Sequence, residues 1–139
     1  MVTSTFNADI TDGLRRGALE YLTEAGATGV TVLDVPGAFE LPLLAQACAE
    51  EGHDAIVCLG AVIEGDTDHY EHVASRTSEG LMRVQLDTGV PVAFGVLTVR
   101  SVDQAIVRAA PGSGNKGREA AAAAIGAAMA LRTIRSRKG

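Results

Sequence analysis

The sequence predicts an α/β domain built on a parallel sheet with helices on both faces. Two features carry that expectation. Apolar runs bounded by Gly, Pro or polar residues have the composition of strands buried on both faces, and the segments between them repeat with helical period. A third is length: 139 residues suffice for one domain, 1–139, with a substantial core, and neither an internal repeat nor a linker divides it.

In chain order, Val2 to Phe6 could form a short strand, and Ile10, Leu14, Ala18 and Leu22 then recur every four residues as one helix face. TVLDV (31–35) reads as a strand. VPGAFELPL (35–43) turns into a helix whose Leu41, Leu44, Ala45 and Cys48 share a face. AIVCLGAVI (55–63) and PVAFGVLTV (91–99) are the longest strand signals, and Asp66, Thr67 and Asp68 suit a helix start after the first of them. Val102, Ala105, Ile106 and Ala109 mark another helix, APGSGNKG (110–117) breaks the chain, and Lys116 to Arg135 forms the last helix. That helix is alanine-rich nearly all round. Close packing on more than one side, as in a homo-oligomer, would explain it, and so would the high helix propensity of Ala. Right-handed strand–helix–strand connections cover both faces of such a sheet, and ligands bind beyond the carboxyl ends of its strands. Chemistry is therefore expected in the loops after residues 35, 63 and 98.

Composition excludes several classes of function. A net charge of −5 and a pI near 5.1 give no basic face for nucleic acid. The basic RTIRSRKG terminus reads as a solvated complement to a helix end. Cys48 and Cys58 lack C-x-x-C spacing and are expected to be free, buried thiols in a reducing compartment. The N-terminus has no charged-then-apolar leader, and no apolar run reaches membrane-span length. A soluble, cytoplasmic protein is the expectation.

Three stretches could carry chemistry. VIEGDTDHYEHV (62–73) holds four carboxylates and two imidazoles. A metal site would need three or four convergent ligands, whereas Glu64, Asp66 and Asp68 alternate in direction. A solvated helix start accounts for the acidic residues but leaves G-x-T-x-H unexplained. A glycine, a threonine hydroxyl and helix N-terminal N–H groups make a small anion site, with His69 beside it as a proton carrier. GSGNKG (112–117) matches a dinucleotide fingerprint in letters only: it follows a helix, and no acidic residue stands about twenty positions later. It reads as a turn presenting Asn115 and Lys116. VPGAFELPL is either a helix start with Pro42 in its first turn, or a rigid loop whose N–H groups and Glu40 hold a polyhydroxylated or heterocyclic ligand; the residue chemistry leaves both open.

Six motifs together decide more than any one of them. FNADIT, VPGAFELPL, LGAVIEGDTDHYEHV, SEGLMRVQLDTGVPVAFGVLT, VDQAIVRA and GNKGREAA resemble, in order and spacing, the lumazine synthase family of riboflavin biosynthesis. The resemblance runs from Phe6 to about Leu131. It implies a flavodoxin-like three-layer sandwich with a four-stranded parallel sheet, and homopentamers that in some members associate further. It also implies condensation of 5-amino-6-(D-ribitylamino)uracil with 3,4-dihydroxy-2-butanone 4-phosphate, with no metal or organic cofactor.

Carried over by residue, the resemblance places Phe6 on the pyrimidine ring with Asn7 beside it. Ala38 and Phe39 offer backbone groups, Glu40 takes ribityl hydroxyls, and Ala61, Val62 and Ile63 meet the polar edge of the heterocycle. Gly65, Asp66 and Thr67 cup the phosphate and His69 transfers protons. From a neighbouring subunit Phe94 closes the ring pocket, Arg108 pairs with phosphate and Lys116 approaches the substrate. Asp68, Glu71 and His72 are left as the solvated helix start.

Two departures stand out. Position 64 is usually basic in the family and here is Glu64, which makes the phosphate rim more acidic. Few residues precede Phe6, where an N-terminal segment helps larger assemblies form, so a pentamer or decamer is expected over a shell. The resemblance also implies a riboflavin synthase as a possible partner. The competing readings are an archaeal-type riboflavin synthase and a silent lumazine- or flavin-binding scaffold. The intact AFE, GDTDH and GNKG motifs oppose the first, and the joint presence of Glu40, His69, Arg108 and Lys116 opposes the second.

Overall fold

The computed structural model describes residues 1–137. The elements run β1 (Val2–Ser4), α1 (Ala8–Glu24), β2 (Leu33–Val35), a 3-10 turn (Ala38–Glu40), α2 (Leu41–Glu50), β3 (Ile56–Ile63), α3 (His69–Thr88), β4 (Val92–Val99), α4 (Val102–Ala109) and α5 (Lys116–Ser136). The four strands form one sheet in the order β2-β1-β3-β4, and every pairing is parallel. β3 and β4 align along eight residues, Ile56 opposite Val92 through Ile63 opposite Val99. β1 is only three residues long, yet it lies between β2 and β3 and brings Phe6 to the middle of the sheet's carboxyl edge.

Two apolar layers sandwich the sheet. On one face, Ile10, Leu14, Ala18 and Leu22 of α1 meet Leu59 and Ala61 of β3, Leu97 and Val99 of β4, Ala105 and Ala109 of α4, and Ala120, Ala121 and Ala124 of α5. On the other, Leu41 and Ala45 of α2 and Leu81 and Val84 of α3 cover Val2, Ile56, Cys58, Val92 and Val96. Leu14, Leu41 and Leu59 are wholly buried, each contributing about 1.5–3 kcal/mol of transfer free energy. The three-layer α/β sandwich expected from the sequence is the observed architecture.

Departures from expectation have local causes. β2 starts at Leu33 rather than at residue 31. The backbone before it is engaged otherwise: the Thr31 carbonyl accepts from the Met1 ammonium at 2.7 Å, and Val30 and Val32 stay exposed. β4 has the apolar run of a strand buried on both faces, but it ends the sheet and leaves Phe94 and Thr98 open. Cys58 is buried as expected, whereas Cys48 is only half-buried near the end of α2. α5 covers one stripe within the chain, and Ala123, Ala127, Met129 and Ala130 face outward. The end of the basic terminus, Lys138 and Gly139, lies outside the described residues.

The clearest correction concerns Asn115. The turn does not present it: only 1% of its surface is exposed. Gly13 and Gly17 form a slot on α1, and a Cβ on Gly17 would lie 2.1 Å from the Asn115 Oδ1. The buried amide is satisfied by backbone, as a buried polar group must be.

Candidate active site

Phe6 and Asn7 are held where the carboxyl ends of three strands meet. The Thr5 N–H donates to the Val35 carbonyl at 2.8 Å and the Phe6 N–H to the Pro36 carbonyl at 3.1 Å, tying the chain after β1 to the loop after β2. Asn7 then takes a left-handed backbone, φ 62°, and its Nδ2 donates to the Ala61 carbonyl at 2.9 Å. Asn tolerates that conformation better than most side chains, so the tight entry into α1 is encoded at this position. Phe6 and Phe39 are left 68% and 61% exposed, which is unusual for Phe and marks an apolar surface suited to a ligand.

The 3-10 turn that carries Phe39 and Glu40 is fixed from beneath. Buried Thr77 of α3 donates its hydroxyl to the Ala38 carbonyl at 3.3 Å. Pro42, in the first turn of α2, lies so close to Gly80 of α3 that a Cβ there would be 2.8 Å away. Gly37 leaves room for the carboxylate of Glu40, which would come within 3.2 Å of a Cβ at that position.

These elements enclose a cleft of about 630 Å³, lined by Phe6, Gly37, Ala38, Phe39, Glu40, Ala61, Val62, Ile63, Gly65, Thr67, His69, Tyr70, His72 and Val73. Across it, α3 begins at His69 with its first-turn N–H groups toward the loop, the arrangement that favours an anion. Asp68 occupies the N-cap position, but its side chain makes no capping bond; the Thr67 Oγ1 accepts instead from the His69 N–H at 3.4 Å. Asp66 is exposed and does not line the cleft. His72, which the helix-start reading set aside, does line it, and so does Tyr70, which the sequence did not single out. Spacing was the available signal for His72, which follows His69 by three residues and so shares its face. Among the described residues, no group of three or more His, Cys, Asp or Glu side chains could hold a metal ion.

Glu64 sits at the rim, where its carboxylate is 3.8 Å from the Nε of Arg100, just past the end of β4. The backbone explains the meeting, since Ile63 and Val99 are opposite in register. The rim is therefore less acidic than Glu64 alone implied.

A second cleft, of about 360 Å³, opens at the free edge of β4 and is lined by Phe94, Leu97, Arg108, Lys116, Glu119 and Ala123 among others. It gathers the three residues expected from a neighbouring subunit, Phe94, Arg108 and Lys116. Arg108 donates to the Gln104 carbonyl at 3.1 Å, and Lys116 pairs with Glu119 at 2.8 Å. The start of α5 is fastened to α1 by Arg118, which grips both oxygens of Glu24 at 3.2 and 2.5 Å and lies 5.4 Å above the Tyr21 ring. The guanidinium holds the Glu24 carboxyl below its ordinary range, and the carboxylate pushes the guanidinium up.

The strand order, with its reversal between β1 and β3, and the larger cleft at the carboxyl ends of those strands define a doubly wound α/β protein of the kind whose ligands sit at the switch point. The family model of 6,7-dimethyl-8-ribityllumazine synthase matches residues 1–132. A protein of Salinibacter ruber (strain DSM 13855 / M31) named 6,7-dimethyl-8-ribityllumazine synthase is 51% identical over 128 residues, which take in 90% of this chain and 82% of that one. The chain belongs to the 6,7-dimethyl-8-ribityllumazine synthase family.

Proposed function

We propose that this protein, as one domain, condenses 5-amino-6-(D-ribitylamino)uracil with 3,4-dihydroxy-2-butanone 4-phosphate to 6,7-dimethyl-8-ribityllumazine, releasing phosphate and water, the penultimate step of riboflavin biosynthesis. The observation that carries the residue assignment is the larger cleft, where Phe6, Phe39, Glu40, the end of β3, Thr67 and His69 converge from separate parts of the chain.

Phe6 stacks on the pyrimidine with Asn7 beside it, Ala38, Phe39 and Glu40 take the ribityl chain, and the backbone of Ala61, Val62 and Ile63 meets the ring's polar edge. Gly65, Asp66 and Thr67 form the phosphate cup at the start of α3. The uracil amine attacks the ketone, one water leaves to give the Schiff base, and phosphate is eliminated. The ribitylamino nitrogen then closes the second ring on the remaining carbonyl with loss of a second water; each step moves a proton, which His69 donates or accepts near neutral pH. Arg108 offers a planar fork to the phosphate oxygens, and Lys116 approaches the reacting centre. No resident metal or organic cofactor is invoked.

The two clefts share no lining residue, and the activity is assigned to their meeting in a cytoplasmic homopentamer or decamer. Phe94, Arg108 and Lys116 of one protomer then complete the Glu40–His69 cleft of the next. A riboflavin synthase is the partner class that would take the product. Mixing the purified protein with both substrates and following the fluorescence of the lumazine tests the assignment. Lumazine formation is expected. Riboflavin formed from lumazine alone would reveal an archaeal-type riboflavin synthase, and tight lumazine binding without turnover a silent scaffold.

A further inference from the structure

Asn115 stands between the two cations of the second cleft. Arg108 is in the last turn of α4, and Lys116 is the first residue of α5. The Asn115 Nδ2 donates to the Ala109 carbonyl at 3.0 Å and to the Ala110 carbonyl at 3.1 Å, so it closes the end of α4. Its Oδ1 accepts from the Arg118 N–H at 3.0 Å, so it also caps the start of α5. A third contact, from Nδ2 to the Gly13 carbonyl at 3.1 Å, anchors both helix ends to α1. One buried amide thus joins three helices.

The surroundings are cut to fit it. A Cβ on Gly13 would lie 2.5 Å from the Ala109 carbonyl oxygen, and one on Gly117 would lie 2.0 Å from the Leu14 carbonyl oxygen. At Gly17 the three atoms nearest an added Cβ all belong to Asn115. A plain N-cap needs none of this, because Ser, Thr or Asp at an exposed position satisfies a helix start equally well. The demand here is for a donor and an acceptor in one side chain: an amide has both, a carboxylate only acceptors.

We infer that Asn115 is a positioning residue for the reaction: by capping α4 and α5 against α1 with one amide, it sets where Arg108 stands relative to Lys116, and hence where the substrate phosphate is held. The inference rests on the reading that Arg108 meets that phosphate. Asn115 itself touches no substrate. Its effect is a fixed spacing between two flexible cations on separate helices, and small errors in such a clamp are costly to a reaction that needs aligned partners.

Four variants are compared with the parent protein by steady-state kinetics for both substrates and by thermal melting. Asn115→Ser keeps a capping oxygen for α5 but loses the Nδ2 amide that reaches α1 and α4, since one short hydroxyl cannot replace its contacts to three carbonyls. It is expected to raise KM for the butanone phosphate roughly five- to twentyfold while moving KM for the uracil substrate less than about twofold. The double variant Gly17→Ala/Asn115→Ala fills the vacated slot with a methyl group; it should melt above Asn115→Ala alone yet keep the raised phosphate-substrate KM. Equal changes in both KM values, or a KM that returns to normal as the melting temperature recovers, would make Asn115 a structural residue only and overturn the inference. Arg108→Ala separates the two layers of argument. If it leaves KM for the butanone phosphate unchanged, the phosphate reading is wrong; if it raises that KM and Asn115→Ser does not, the positioning role alone is wrong.

Discussion

The two clefts of this chain are built by opposite means. The larger one lies at the carboxyl ends of β1, β2 and β3, and backbone anchors to Val35, Pro36, Ala61 and Ala38 hold its loops. The smaller one lies at the free edge of β4, where side chains of α4 and α5 supply its cations. The larger cleft offers rings, a carboxylate and an imidazole; the smaller offers a ring and two cations. No lining residue is shared between them. The difference teaches that the first cleft is specified by strand-end geometry, whereas the second depends on where two helix ends place their side chains.

The sharpest break between them is expected from His69→Ala. Loss of proton transfer should lower kcat by roughly 10²–10⁴-fold and leave both KM values nearly unchanged. A KM effect without a kcat effect, seen in initial rates of lumazine formation, would move His69 from catalysis to binding. Arg108→Ala acts on the other cleft. Losing a charge-assisted pair of about 1.5–3 kcal/mol should raise KM for the butanone phosphate roughly ten- to hundredfold, and more than KM for the uracil substrate.

Mixing tests whether the clefts cooperate between chains. Glu40→Ala and Arg108→Ala damage different clefts, so the two weakly active oligomers, unfolded together and refolded, should regain activity, with about a quarter of the interfaces fully intact if assembly is unbiased. A mixture no more active than the mean of its parents, with subunit exchange verified by mass, would place the whole site within one chain. The smallest effect belongs to the rim. Arg100→Ala exposes the Glu64 carboxylate without its partner and should raise KM for the butanone phosphate by less than about threefold, since the pair is exposed and such pairs contribute about 0–1 kcal/mol. A neutral Glu64→Gln in the same background should reverse it.

Much of this architecture was legible in the sequence because the period of the apolar residues sets the element. Ile10, Leu14, Ala18 and Leu22 are all buried on the face their spacing indicated. α3 was harder: its buried positions are Thr77, Leu81 and Val84, and a threonine in a helix stripe does not register as apolar. The larger cleft was legible as motifs at strand ends, but His72 and Tyr70 were not, since their place depends on where α3 points. Asn115 shows the deeper limit. A polar residue in a glycine-rich turn reads as exposed, and only the slot made by Gly13 and Gly17, about a hundred residues earlier, shows why it is buried.

Cys58 gives this molecule an internal clock. It lies on β3 between Val2 of β1 and Phe94 of β4, and burial pushes its thiol from 9.0 up to about 12. The folded state therefore keeps the proton through a range in which the unfolded chain releases it. Stability from this group is fully present below pH 9 and falls as the pH rises from there toward 12, by about 1.4 kcal/mol per unit. At neutral pH a thiol reagent should modify half-buried Cys48 promptly and Cys58 only when β3 parts from its neighbours. Because β3 also carries Ala61, Val62 and Ile63, the slow phase of labelling would time the opening of the strand that floors the larger cleft. A ligand seated there should lengthen that phase in proportion to its occupancy, while the fast phase at Cys48 keeps its rate.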